Sequence, residues 1–484
     1  MLTVGAKTEF HKAFIDGKWV EAKKRFTLTS PATLEPFAEV ADCGPEEAQL
    51  AADAAVRAFE SWSQTTPHER AAILMRWYTL ILEHQDELAR IMAREMGKPV
   101  IEGRGEVKYA AGFAQWFAEE GKRAYGDIIP THDNKKRLFT MKKPVGPAYG
   151  VTPWNFPAGM ITRKAAPALA AGCTYISKPA EQTPLTALAL AGLWEEAGGP
   201  PGTLQVVTAL DPVPVTDVFM RDRRVRKVTF TGSTEVGKKL YAQAAATMKR
   251  ISFELGGHAP YVIFQDADLD RAVQDVIACK FRNAGQVCVA TNRIYVQEKI
   301  YDEFAERLSE KVVGLTVGDP LDEKTRIGPL VDRQGFDKVR AHVEDALAKG
   351  AVARTGGKPA EGRSDALFFE PTVLTGISRE MRLLSEETFG PVAPLLKFKD
   401  EAEAVKLAND TPYGLAGYVW TKDLGRAFRV AEALQYGIVG VNDPVPSTPH
   451  APFGGVKDSG IGREGGYEGL QEYLDVRYIS MGLP

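Results

Sequence analysis

Apolar residues recur along this chain in two rhythms, and each change of rhythm predicts a change of element. Residues 13–20 (AFIDGKWV) place apolar side chains on both sides of an Asp-Gly pair, which predicts a β-hairpin. A second turn is expected at Ser30-Pro31. The spacing then lengthens. Leu50, Ala54, Ala58 and Trp62 repeat every four residues, with Ala51, Ala55 and Phe59 beside them, so a helix is expected with Pro45 in its first turn. Further helices are predicted over 67–84, over 86–96, where Gly97 and Pro99 stop the pattern, and over 100–120.

From residue 127 the character changes. Residues 137–143 alternate basic and apolar, as an exposed strand does. Short β-like runs at 147–151, 174–177, 203–207, 227–230 and 250–254 then interleave with helical patterns at 183–197 and 236–248. Residues 261–264 open a second series, continued at 294–297, 395–398 and 418–420. Strands alternating with helices predict parallel sheets covered by helices. Two α/β units in succession are expected, meeting near 254–257, in one interlocked body without repeats or linkers.

Composition narrows the function classes. The 484 residues carry a net charge of −3 and are 44% hydrophobic, which excludes wholesale disorder and offers no electrostatic footprint for nucleic acid or an anionic membrane. No apolar run approaches the roughly 18 residues of a spanning helix. The N-terminal stretch shows no apolar h-region and no cleavage signature. Four cysteines are too few for a disulfide framework in a chain of this length, so a reduced, cytoplasmic protein is expected.

The cysteines differ in setting. Cys279 and Cys173 sit in apolar patterns and read as buried hydrophobes, and Cys43 lies in a Gly-Pro turn. Cys288 stands after a predicted helix among Gly and amide residues, where a thiol has access and donors, and is the candidate nucleophile. His258 and His450, in Gly/Pro-rich loops, are candidate bases for a cysteine hydrolase. Glu254 ends a strand-like run before Gly256 and Gly257, where α/β folds place catalytic groups. Gly232 and Ser233 lie between a strand and a helix and could hold a pyrophosphate, although the same pattern is an ordinary cap. Lys178 and Glu181 sit at a strand's carboxyl end and suit ribose hydroxyls, or form a surface ion pair. Trp154, Asn155 and Phe156 are bracketed by Pro153 and Pro157; a rigid loop carrying an amide suits an oxyanion donor. No metal-ligand spacing is evident.

Together these segments resemble the aldehyde dehydrogenase superfamily. The matching runs are TPWNFP (152–157), KPAE (178–181), FTGSTEVG (230–237), ELGG (254–257), FRNAGQVC (281–288), EETFGP (386–391) and PFGGVKDSG (452–460), in the family's order. The resemblance implies an α/β fold with a Rossmann-like cofactor domain (1–126 and 147–255), an α/β catalytic domain (256–464) and a small β oligomerisation arm (127–146 and 465–484). It implies Cys288 as nucleophile, Glu254 as general base and Asn155 as oxyanion donor. Trp154, Lys178, Glu181, Gly232, Ser233, Glu387 and Phe389 would bind the cofactor, with no metal.

Within the superfamily the chain looks most like succinate-semialdehyde dehydrogenases. That likeness implies Arg163, Arg282 and Ser447 as ligands of a distal carboxylate, and a homodimer or homotetramer acting on a small semialdehyde. Glutarate or 2-oxoglutarate semialdehyde, or a non-catalytic role on the same fold, are the alternatives. Glu181 beside the adenosine ribose leads to the expectation of NAD as preferred cofactor over NADP. A second cysteine two residues after the nucleophile, a redox switch in some members, is replaced by Ala290. The Pro-rich run 443–450 also departs from the pattern.

Overall fold

The computed structural model describes residue 4, residues 8–361 and residues 367–484; residues 1–3 and 5–7 of the N-terminal stretch read above lie outside that set. The anticipated hairpin forms, with Ala13–Ile15 antiparallel to Lys18–Val20 around Asp16 and Gly17. Prolines open the first two helices, α1 (Pro45–Trp62) and α2 (Pro67–Glu83). Thr66 and Glu69 exchange side-chain and backbone hydrogen bonds at the start of α2, satisfying two of its free N–H groups. Helix α3 (Gln85–Met96) stops on Gly97, left-handed at φ 79°, and α4 (Val100–Glu120) follows.

The apolar rhythm gives no warning of α5 (Pro157–Ala171). Every one of its residues is buried, Arg163 and Lys164 included, so it has no polar face to set a period. Helices α6 (Pro184–Glu196), α7 (Pro212–Arg221), α8 (Thr234–Ala245) and α9 (Leu269–Lys280) complete the part of the fold that frames the site. Helix α7 and the antiparallel pair Lys24–Thr29 with Pro36–Asp42 are also additions to the sequence reading.

Two large sheets carry the molecule. In the first, the strands Leu204–Val206, Tyr175–Lys178, Ala148–Val151, Lys227–Thr231 and Arg250–Glu254 lie side by side and parallel. Numbered by chain order this is 3-2-1-4-5, so the direction of winding reverses between Ala148–Val151 and Lys227–Thr231. Such a reversal opens a crevice at the strands' carboxyl ends, where ligands of open α/β sheets bind. The short strand Gly460–Ile461 pairs antiparallel beyond Arg250–Glu254, with Glu254 opposite Gly460, although sequence placed it in the other unit. The second sheet runs Val352–Thr355, Thr372–Thr375, Val392–Phe398, Thr291–Gln297, Ala259–Ile263, Ala416–Trp420, Ile438–Val441, parallel except at its first strand. A third, antiparallel sheet joins Lys136–Pro144 to Leu474–Gly482 and to Ile128–Ile129. No helix among the described residues is long and apolar enough to cross a membrane.

Three tryptophans lock α1, α2 and α6 together. Trp77 is fully buried, meets Trp194 edge-on at 5.4 Å and donates to the Leu190 carbonyl at 3.0 Å; Trp62 meets the same Trp194 at 6.3 Å. Trp77→Ala is therefore expected to destabilise the protein by about 3–5 kcal/mol, the usual range for emptying a large aromatic site. Denaturant unfolding followed by circular dichroism measures it, and a loss below about 1 kcal/mol would mean the helices do not depend on this contact.

Candidate active site

Cys288 occupies the wall between two cavities. On one side lie Trp154, Asn155, Gly232, Ser233, Glu254, Glu387 and Phe389. On the other, a cavity of about 320 Å³ is lined by Tyr109, Phe156, Arg163, Arg282, Ser447 and Phe453, among others. The structure thus brings the three expected catalytic residues to one place and separates the expected cofactor ligands from the expected substrate ligands.

The turn that presents Cys288 is held in an uncommon backbone. Asn283, Ala284 and Gly285 are all left-handed, at φ 51°, 53° and 74°. A Cβ on Gly285 would stand 2.0 Å from the Gly390 carbonyl oxygen, so only glycine fits. Ala284 carries the steric cost that left-handed backbone imposes on any residue with a Cβ, roughly 1–2 kcal/mol. Asn155 is nearly buried, and its Nδ2 donates to the Gln286 carbonyl at 3.1 Å. Gly257 does not simply leave room for a ligand. A Cβ there would lie 2.5 Å from the Cys288 carbonyl oxygen, so glycine permits the Glu254 loop to approach the nucleophile turn.

Glu254 is buried, and its Oε2 accepts from Arg163 Nη2 at 2.6 Å. Arg163 also holds Glu464 through Nε at 2.7 Å and lies over the Phe453 ring at 4.2 Å. Burial opposes the arginine's charge, yet Glu464 and Glu254 raise its pKa above the ordinary value. Glu464 in turn pairs with Lys164 and accepts from Thr229 at 3.2 Å. Burial works against the Glu464 charge, but Lys164 and Arg163 hold it below the usual carboxylate range. Arg163 is thus already neutralised by two carboxylates, and the expectation that it waits for an anion needs correction. Its Nη1 is buried without a hydrogen-bond partner, and Nε, although ion-paired with Glu464, also makes no hydrogen bond.

Arg282 differs. Among the described residues no carboxylate comes within 4 Å of it, its Nε is buried without a partner, and its guanidinium stands 5.4 Å from the Phe156 ring centre. Ser447 shares a 2.6 Å hydrogen bond with the Tyr109 hydroxyl. Tyr109, Lys164 and Glu464 are site residues that sequence reasoning missed. Tyr109 had a signal: with Glu102 and Glu106 it forms a polar stripe at helical spacing on α4.

The first cavity continues into a cleft lined by Val151, Trp154, Lys178, Glu181, Phe230 and Gly232, at the winding reversal of the first sheet. Ser233 caps α8, its Oγ accepting from Val236 N–H at 3.3 Å. Glu387 is half-buried and accepts from Gly257 N–H at 3.2 Å, and loss of solvation pushes its pKa up to about 7. Phe389, left-handed at φ 57°, packs edge-on against Trp154 at 5.6 Å. A helix start facing a switch-point cleft, with ribose-sized polar groups at both ends, fits a dinucleotide. Neither His258 nor His450 lines the cavities at Cys288: His258 is buried with Nε2 on the Leu384 carbonyl, and His450 is exposed against Thr448. A hydrolase would have no imidazole beside its thiol.

The sequence profile of the aldehyde dehydrogenase family matches residues 19–479. The chain belongs to the aldehyde dehydrogenase family. As an aldehyde dehydrogenase it is 51% identical over 474 residues to a succinate-semialdehyde dehydrogenase of Escherichia coli named for NADP(+), covering 98% of both chains. It is 50% identical to a glutarate-semialdehyde dehydrogenase of Pseudomonas putida, over 97% of each. The crystal structure of a succinate-semialdehyde dehydrogenase from Burkholderia pseudomallei matches with a TM-score of 0.96 at 49% identity, over 98% of both chains.

The expected preference of this aldehyde dehydrogenase for NAD is overturned by the E. coli relative, whose name specifies NADP(+). The expectation let repulsion by Glu181 outweigh the partial offset from Lys178. In the structure the Glu181 carboxylate pairs with buried Lys178 at 3.5 Å, and its side chain is 38% exposed. A neutralised carboxylate that can turn to solvent is a weak barrier to a 2′-phosphate, and Lys239 lines the same cleft.

Burial, and then the charge of Glu254, push the Cys288 thiol well above its ordinary pKa, with Arg163 partly opposing them. Glu254→Gln removes the negative charge that resists thiolate formation. The pH midpoint for alkylation of Cys288 by iodoacetamide should therefore move down, read as site-specific labelling by mass spectrometry. A midpoint that stays or rises contradicts the electrostatics.

Proposed function

We propose that this aldehyde dehydrogenase oxidises a short aldehyde bearing a carboxylate at its far end, succinate semialdehyde to succinate, with NADP as the oxidant. The observation that carries the reading is the unpartnered Nε of Arg282 in the cavity beyond Cys288, with Arg163 Nη1 and the Ser447–Tyr109 pair beside it. Arg282 is half-buried, but its Nε is buried without a hydrogen-bond partner, and a carboxylate would satisfy it with charge-assisted hydrogen bonds. The aldehyde carbon of a four-carbon semialdehyde would then face the thiol.

In this reading Cys288 attacks the aldehyde carbon, and its proton passes to Glu254. The Asn155 amide and the Cys288 backbone N–H stabilise the oxyanion. NADP, when bound in the adjoining cleft, would supply the hydride acceptor, and the adduct on Cys288 is thereby left as a thioester. Glu254 releases the thiol proton to solvent, then takes a proton from the water that attacks the thioester; collapse expels the acid, and that proton returns to the Cys288 thiolate to restore the thiol. Lys178 and Glu181 would hold the adenosine end of the dinucleotide, Gly232 and Ser233 its pyrophosphate, and Glu387 its nicotinamide ribose, with Trp154 and Phe389 walling the site.

We also propose the domain division given by the family likeness, with 1–126 and 147–255 binding the cofactor, 256–464 catalytic apart from Gly460–Ile461, which joins the first sheet, and 127–146 with 465–484 as an arm. The arm leaves Ile128, Val476, Tyr478 and Met481 exposed, which suits a homo-oligomer. Four unpaired thiols suit a reducing cytoplasm.

The decisive measurement is kcat/KM for succinate semialdehyde, glutarate semialdehyde and butanal with NADP and NAD. Arg282→Ala should cost the two acids about 30- to several thousand-fold and butanal far less, the range for truncating one partner of a buried charge pair. Equal losses on all three would make Arg282 a support of the nucleophile turn, and the semialdehyde reading would fall. For the arm, Val476→Asp should lower the mass seen by light scattering. An unchanged mass would remove this sheet from the interface.

A further inference from the structure

We propose that Glu106 and Lys98, which lie outside all seven family-like motifs, are positioning residues that fix the amide of Asn155 for oxyanion stabilisation. The proposal rests on the role given to Asn155 above.

The loop carrying Asn155 cannot hold itself. Pro153 and Pro157 bracket it and have no N–H to offer. Pro157 opens α5, and Phe156, at the position before it, makes no side-chain cap. The first free N–H groups of α5 are capped from another helix: Glu106 Oε1 accepts from Ala158 N–H at 2.9 Å and Gly159 N–H at 3.2 Å. A carboxylate is well matched there, because a helix start is the positive end of its dipole. The other oxygen, Oε2, is met by Lys98 Nζ, and both side chains are almost wholly buried.

Lys98 then completes the clamp. Its Nζ donates to the Asn155 backbone carbonyl at 2.8 Å, and Asn283 Nδ2 donates to the same carbonyl at 3.1 Å. The Asn155 amide gives one hydrogen of Nδ2 to the Gln286 carbonyl at 3.1 Å, which leaves the other for the cavity it shares with Cys288. One turn earlier on α4, Glu102 accepts from Asn283 N–H at 2.7 Å. One face of α4, with Lys98 just before the helix, therefore holds the oxyanion loop through Glu106 and the nucleophile turn through Glu102. Oxyanion donors act by being fixed before charge develops, so a displacement of about 1 Å from a distant change can cost about 10²-fold.

A double-mutant cycle separates this role from a merely structural one. Wild type, Asn155→Ala, Glu106→Gln and the double variant are compared for kcat, KM of the aldehyde and NADP affinity by fluorescence titration. Asn155→Ala should lower kcat by about 10²–10³-fold. Glu106→Gln should lower it by about 10- to 100-fold, with KM and NADP affinity within about twofold of wild type. In the Asn155→Ala background, Glu106→Gln should cost less than about twofold more. Multiplicative losses in the double variant, or a wild-type kcat in Glu106→Gln, overturn the proposal while leaving Asn155 its role. An undiminished kcat in Asn155→Ala overturns both. Should Glu106→Gln fail to fold, Lys98→Gln is carried through the same cycle and read the same way.

Discussion

Arg163 reaches Glu254 at 2.6 Å and Glu464 at 2.7 Å with its side chain fully buried, and its neighbour Lys164 closes the set on Glu464. Two cations and two anions cancel, which is what lets four charges sit together out of water. Removing any one would strand its partners, and a broken buried pair typically costs about 3–5 kcal/mol. The set also couples distant parts of the chain. Both cations come from α5, Glu254 ends a strand of the first sheet, and Glu464 follows the edge strand whose Gly460 lies opposite Glu254. The position of the proposed base therefore depends on a C-terminal segment that adds only two residues to the sheet.

This neutrality shapes the far cavity. Lys98 is cancelled by Glu106, and Arg163 by its two carboxylates, so neither imposes a net field there. The cation left without an ion pair is Arg282. In a site of low effective dielectric its attraction for a carboxylate is far stronger than in water. The selectivity proposed for an acid-bearing aldehyde thus rests less on the number of basic residues than on which one lacks an internal partner.

That distinction is where the sequence stopped being legible. Helices α1 to α4 could be read because prolines, Gly97 and a repeat near four residues mark them. Helix α5 could not, because burial on every side erases the periodicity that amphipathic helices show. The catalytic candidates were legible through motif order, and the structure gathers Cys288, Glu254 and Asn155 around one cavity. Partners were not. Arg163 is neutralised by residues 91 and 301 positions away, and no local pattern encodes either distance. The cofactor expectation failed for a related reason. Lys178 was visible three residues before Glu181, but the burial of one partner and the exposure of the other, which set how far the carboxylate repels a phosphate, were not.

The thiol itself shows why the charges are arranged this way. Many reactive cysteines are activated beforehand by a cation or a helix start that lowers their pKa. Cys288 is pushed the other way, first by burial and then by Glu254, so it rests as a neutral thiol. A resting thiol reacts slowly with stray electrophiles and oxidants, because the thiolate is the reactive form. Glu254, which adds to the effect of burial, is also the residue proposed to take its proton. In the proposed reaction Glu254 accepts that proton, releases it, and later takes one from water. The bond from Arg163 to Oε2 stabilises the charge, and Oε1 is left without a hydrogen bond and free to work as the base. One carboxylate can hold both roles only because its two oxygens are treated differently, and it is Arg163 that makes the difference.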